Sequence, residues 1–354
     1  MPRSILERLN FINISLGLVG AVIVAIIVVG SIATLQSGHY SSRLWFDFVI
    51  FGLAQGSIYA LIALGYTMVY GVLRMINFAH GEVYMSGAFT GYFVADALNR
   101  SKFMSQNPLL GLMAVFAVAM VTSIIVAVLL ERIAYRPLRR APRLVPLITA
   151  IGASFFLQYT FRGLYGSQFK AYPQVAVLQG VWSLGGDFTI QKIQVIVIVA
   201  AALLMFGLYL FVQRTRTGKA MRAVSENKDV AALMGIDVDA IIVRTFILGA
   251  ALAGAAGVLY ALMFRQVSFF MGFIPGIKAF TAAVLGGIGN IPGAMLGGLF
   301  LGLFESVGPT LFLDGLGTPA PYQLKDVIAF SMLVLVLIFR PQGILGERLG
   351  KTKA

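Results

Sequence analysis

Apolar runs of membrane length follow one another along almost the whole chain. Crossing ~30 Å of hydrocarbon takes ~20 helical residues. Runs near or above that length lie at 11–35, 48–73, 83–98 (short), 109–130, 144–165, 192–212, 241–264 and 323–340. Inside lipid every backbone N–H and C=O has to bond within the protein, so these runs are predicted to be helices. With 59% hydrophobic and 12% charged residues among 354, the chain carries more apolar surface than a soluble fold can hide. No long polar stretch or linker marks off an aqueous domain. The expected fold class is all-α: a polytopic membrane bundle of eight to ten spans, forming one domain over 41–346, with an additional N-terminal helix in 1–40 and a short tail at 347–354.

One apolar stretch breaks the pattern. Segment 277–307 is interrupted by Gly286-Gly-Ile-Gly-Asn-Ile-Pro-Gly293, so it cannot be one regular helix. Charge decides how it is used. The 131–143 loop carries Arg132, Arg136, Arg139, Arg140 and Arg143 against Glu131, and the positive-inside rule makes it cytoplasmic. Arg340, Arg348, Lys351 and Lys353 hold the C-terminus on the same side, and Arg3 and Arg8 favour an inside N-terminus. The number of crossings between the cytoplasmic stretch at 213–244 and the C-terminus is then even. Segment 277–307 therefore adds zero or two crossings, as a folded-back pair of half-helices or two short spans. The run at 11–35 exceeds a signal-peptide core of roughly 7–15 residues and no convincing cleavage site follows, so it is expected to be a retained helix.

The net charge of +13 does not point to nucleic acid, because the basic residues cluster in short loops beside apolar runs and no recognition motif accompanies them. The chain has no cysteine, which excludes disulfides, Fe–S clusters and thiolate zinc sites. Gly287-Ile-Gly289-Asn290-Ile-Pro292 fails the dinucleotide pattern at its third glycine, and Thr217-Gly-Lys-Ala220 lacks the Ser/Thr and upstream glycine of a phosphate loop. No catalytic set and no cofactor site is recognised. The glycine break, with Gly286, Gly287, Gly289, Asn290, Pro292 and Gly293, serves close helix packing through its Gly-x-x-x-Gly spacings or lines a solute path. A second polar interruption, Asn77, His80 and Glu82, is either a solvated interfacial loop or part of the path. With His39 the only other histidine, it is too sparse for a metal site. The arginines of 131–143 read as a topology anchor, or as a surface for anionic lipid headgroups or an acidic partner face.

The charged island at 213–244 holds six basic and four acidic side chains. Within it Asn227 suits an N-cap and Asp229 a first helical turn. Val230, Leu233 and Met234 share one face, and Gly235 can close the C-terminus. Two turns of helix do not hold together alone in water, so this unit docks either on its own protein or on a partner.

Several stretches resemble the LivH-type permeases of branched-chain amino acid ABC importers. They are Gly56–Gly71 (GSIYALIALGYTMVYG), Met75–Met85 (MINFAHGEVYM), Glu131–Pro137 (ERIAYRP), Lys278–Gly289 (KAFTAAVLGGIG) and Pro341–Gly346 (PQGILG). The resemblance runs from about residue 45 to 346. It implies a permease in a bacterial or archaeal inner membrane, pairing with a LivM-type sister permease, two cytoplasmic ABC ATPase subunits and an external substrate-binding protein. ATP hydrolysis would belong to those other subunits. It also implies that Glu226, Asn227, Val230, Ala231, Ala232, Leu233, Met234 and Gly235 form the coupling helix that docks on an ATPase. The spacing departs from the family's Glu-Ala-Ala…Gly loop signature, since Glu226 precedes Ala231 by five positions. The helix at 11–35 is likewise an addition to the family pattern. Import of urea, short amides or other amino acids, and an ATP-independent channel or secondary transporter, remain alternative readings.

Overall fold

The computed structural model describes residues 11–139, 141–142, 144–186 and 188–346, with side chains from residue 14 onward. Arg3, Arg8, Arg140, Arg143, Arg348, Lys351, Lys353 and the rest of the 347–354 tail lie outside the described residues.

The apolar runs become α1 (Phe11–Ser37), α2 (Ser42–Leu73), α3 (His80–Arg100), α5 (Pro108–Leu129), α6 (Leu144–Tyr165), α7 (Lys192–Arg214), α10 (Val238–Phe264) and α13 (Lys325–Phe339). Between them lie the short α4 (Phe103–Gln106), two island helices, α8 (Arg216–Glu226) and α9 (Lys228–Leu233), and the pair α11 (Phe273–Gly286) and α12 (Ile291–Leu313). Among the described residues, eight helical stretches are long and apolar enough to cross a membrane. The all-α polytopic class therefore holds.

Segment 277–307 is two helices folded back on one another, one of the two arrangements that parity allows. A Cβ on Gly286 would overlap the carbonyl of Gly293, and one on Gly297 would overlap that of Ala282, so bare backbones form the seam. At 14 residues α11 is ~21 Å long, short of the hydrocarbon thickness, whereas α12 has 23 residues and ~35 Å. α11 begins inside the bundle: Gly272, just before it, lies against Gly81 and Glu82. α3 also begins inside, because the His80 ring fills the space beside Gly65, eight residues or ~12 Å short of the end of α2 at Leu73. Two helix starts thus meet in the interior.

α2 is the central helix, buried almost continuously from Gly52 to Val69. It packs on α12 through a second glycine seam, Gly298 on Ala60 and Gly302 on Gly56. α1 stays at the periphery, with apolar side chains such as Leu18 and Val29 facing outward and Thr34 joined to Gly315 N by a 2.8 Å hydrogen bond.

The two ends of the bundle differ. One carries the island, the turn at 287–290 and the segment after α13. The opposite end carries two small antiparallel sheets: β1 (Lys170–Ala171) with β4 (Gln266–Val267), and the hairpin of β2 (Val181–Gly185) and β3 (Phe188–Gln191). The sequence reading assigned no strand here. Alternation in Val181-Trp-Ser-Leu and Phe188-Thr-Ile around Gly185 and Gly186 is the signal that finds the hairpin.

Candidate functional site

The island folds as two capped helices. α8 starts at Thr215, whose hydroxyl accepts from Gly218 N at 3.0 Å, and it buries Met221 and Val224 against the bundle. This helix is absent from the sequence reading, although Ala220, Met221 and Val224 at helical spacing mark its apolar face. In α9 the expected cap is present: Asn227 Oδ1 accepts from Asp229 N at 3.0 Å and Val230 N at 3.1 Å. Asp229 occupies the first turn. At the other end Gly235 takes φ +80°, with Gly235 N bonded to Ala232 O and Ile236 N to Ala231 O. This is a left-handed helix stop in which a side chain would be strained.

The inner face of α9 is anchored by little more than Ala231, which is buried. Glu226, Asn227, Val230, Ala232, Leu233, Met234 and Gly235 are all exposed, with Leu233 at 87% and Met234 at 77%. Apolar side chains are left uncovered here on a doubly capped turn.

The support behind this surface is charged. Arg74 donates to Ser225 O at 2.7 Å. Asp237 caps α10 by accepting from Ala240 N at 3.0 Å. Arg139 bridges Glu131 and Asp239, and Arg136 also reaches Glu131, which is fully buried in a π-helical turn at Leu130–Tyr135. Of the arginines in 131–143, Arg139 ties the end of α5 to the start of α10. Partial burial and the nearby Arg139 and Arg74 push the Lys228 ammonium below its ordinary value.

The polar residues singled out inside the bundle are partly engaged within the chain, with His80 Nε2 and Glu82 Oε2 left without a hydrogen-bond partner. Tyr135 OH donates to Asn77 Oδ1 at 2.5 Å. His80 lies edge-on to Tyr66, with ring centroids 4.9 Å apart. Glu82 Oε1 accepts from Gln158 Nε2 at 2.7 Å and Ser154 Oγ at 3.2 Å, both on α6. Asn77, His80 and Glu82 are each at most 3% exposed, so the structure places them in the packed interior at the start of α3.

At the glycine break, Asn290 Oδ1 accepts from Gly293 N at 2.9 Å and caps α12, with Pro292 in the first turn. The carbonyls of Leu285 and Gly286, left over at the end of α11, accept from Ile344 N at 2.8 Å and Leu345 N at 3.0 Å. Asn290 Nδ2 donates back to Leu345 O at 2.9 Å. Gly287 packs on Gly343 and Gly346, while Gly289 faces open space.

A further cluster went unmarked in the sequence. Lys278 on α11 pairs with Glu305 on α12 at 2.5 Å and with Asp326 on α13 at 2.6 Å, and Lys278 and Glu305 are almost fully buried. The signal was available: Glu305 is a lone charge within an apolar run.

The chain matches the family described as branched-chain amino acid transport system / permease component over residues 48–337. It is 47% identical to the high-affinity branched-chain amino acid transport system permease protein BraD of Pseudomonas aeruginosa, across 87% of this chain and 96% of that one. Identity to the corresponding LivH protein of Escherichia coli is 43%, across 84% and 94%. A probable branched-chain amino acid transport permease protein LivH of Methanocaldococcus jannaschii is 30% identical, across 84% and 91%.

Proposed function

Because this chain belongs to the family of branched-chain amino acid transport permease components, we propose that it acts with a LivM-type sister permease, two cytoplasmic ABC ATPase subunits and an external substrate-binding protein. It is the membrane permease part of a branched-chain amino acid transport system, not the subunit that hydrolyses ATP. In this reading the membrane is the inner membrane of a bacterium or archaeon, the island end faces the cytoplasm, and α1 is an appendage to the family core, whose match begins at residue 48.

The single observation behind the coupling role is α9: a rigid two-turn helix with Leu233 and Met234 bare to water. An ATPase cleft would cover them. Glu226, Asn227, Val230, Ala232 and Gly235 would form the rest of that contact, with Ala231 as the inward anchor. Motion of the docked helix would pass through the Asp237 cap into α10, and through Asp239 and Arg139 into the end of α5. A rigid element with different contacts in two states is all such a link requires.

The solute path is proposed to run past the two interior helix starts. Asn77, His80 and Glu82 stand at one of them. Gly286, Gly287, Gly289, Asn290, Pro292 and Gly293 form the turn that closes the other helix, α11. Because the chain lacks cysteine, single cysteines at 77 and 82 can report this directly. They should gain reactivity toward a small thiol reagent during ATP-driven turnover; constant protection through the cycle removes these residues from the path.

The coupling role is tested by Leu233→Arg in the reconstituted importer. The variant should insert and assemble its own bundle normally, yet lose at least tenfold of ATP-dependent leucine uptake. Undiminished uptake overturns the assignment.

A further inference from the structure

At the hairpin end, α2, β3 and the start of α7 enclose a cleft of about 470 Å³. Its size falls within the range of about 300–1,000 Å³ typical of small-molecule sites. Two opposite charges share one wall. Arg43 and Asp47 are four positions apart in the first turns of α2, on the same helix face, and both line the cleft. At this spacing they would ordinarily pair. Here they do not: Arg43 Nη2 donates to Thr189 Oγ1 on the hairpin at 3.3 Å, and among the described residues Asp47 makes no ion pair. The cleft therefore presents a cation and an anion side by side, each with unused bonding capacity.

Two further features select among ligands. Gln194, in the first turn of α7, is only 9% exposed, lines the cleft, and has no hydrogen-bond partner among the described residues. Its amide is not sealed in the interior, so its bonding capacity is free for a ligand in the cleft. Phe51 and Tyr322 add aromatic surface to the wall, beside the polar Gln191 and Ser306.

We propose that this cleft receives an amino-acid zwitterion. Arg43 takes the carboxylate, Asp47 takes the ammonium, Gln194 supplies a further hydrogen bond, and Phe51 and Tyr322 cover an apolar side chain. The assignment rests on the amino acid substrate and outward-facing hairpin end proposed above. It adds a place on the permease itself where the solute stops before crossing. A ligand with one charge would leave Arg43 or Asp47 unanswered, so discrimination follows from the pairing of both.

The test uses the full-length chain with Val181→Cys, an exposed position on the rim of the cleft, in lipid nanodiscs. Labelling by a maleimide is timed with leucine, with 4-methylpentanoate (no ammonium) and with 3-methylbutylamine (no carboxylate). Leucine should slow labelling at least twofold and the two single-charge analogues should not. Arg43→Gln and Asp47→Asn should each abolish the protection while leaving the unprotected labelling rate unchanged, which reports an intact hairpin. Equal protection by all three compounds, or none by leucine, overturns the inference. So does slow labelling that depends on phosphatidylethanolamine, compared with phosphatidylglycerol, and ignores leucine, because a lipid headgroup then fills the cleft. ATP-dependent leucine uptake by the assembled importer is measured in parallel. Uptake without protection removes the cleft and spares the transport reading, whereas a transporter that imports no branched-chain amino acid removes that reading itself.

Discussion

The island helix α9 and the Lys278 cluster invert the usual arrangement of a membrane protein in opposite ways. In α9, apolar Leu233 and Met234 are left uncovered outside the spans. In the cluster, Lys278 and Glu305 lie buried between helices within the bundle. The second inversion is answered inside the chain, by charge pairing across α11, α12 and α13. The first is not answered by anything among the described residues. Charges that already have their counterions mark a region finished on its own. Apolar side chains held rigidly in water mark one completed by another molecule.

The most damaging way to probe this contrast is Lys278→Met. It leaves the buried Glu305 with only the looser Lys325, 3.9 Å away, and breaking a buried pair typically costs about 3–5 kcal/mol. Detergent-solubilised protein should lose much of its thermal stability, and adding Glu305→Leu should return part of it. Stability equal to the parent would show that the cluster is not self-contained.

Leu233→Arg comes next, with the opposite signature: a large loss of uptake and no loss of stability. If it lowered stability as Lys278→Met does, α9 would belong to the chain's own core and the contrast would collapse.

Asn227→Ala should cost about 1 kcal/mol of local helix stability. Amide exchange across 228–233 should then quicken roughly fivefold while global unfolding stays put. Exchange that stayed as slow as in the parent would mean that something other than the cap holds α9.

Lys228→Gln should have the smallest effect and the reverse sign. The folded state lowers this ammonium's pKa from 10.5, so the charged form is the penalised one. The penalty is complete below the folded pKa and vanishes above the unfolded value. At neutral pH the substitution should therefore slow exchange in α9, by no more than about 0.5 kcal/mol for a group only partly buried. The difference should disappear as pH rises past the lysine range.

Much of this was legible before any coordinates. Apolar length located most of the spans, and charge parity allowed 277–307 only zero or two crossings. Asn227, Asp229 and Gly235 specified α9 almost residue by residue, because caps are local chemistry. Partnerships across the bundle were not legible. Glu82 is answered by Ser154 and Gln158, two ordinary polar residues that share the buried face of α6 with Ala150 and Phe161. Lys278 finds Glu305 and Asp326 only after α11 has folded onto α12. Helical period assigns a residue to a face, but it does not say which helix that face will meet. The glycine break shows the same limit: its residues announce irregular backbone, while the bond from Asn290 to the segment after α13 depends on the whole topology.

That last bond has a consequence for how the protein is made. The carbonyls of Leu285 and Gly286 accept hydrogen bonds from Ile344 and Leu345, which a ribosome delivers only after α12 and α13 have been synthesised. Until then the end of α11 is an open helix terminus, and α12 has its Asn290 cap but no strap across the turn. The hairpin is therefore among the last parts of the bundle to be sealed. A chain stalled short of residue 344 would carry two unsatisfied carbonyls at this turn, a chemical mark that separates unfinished copies from finished ones.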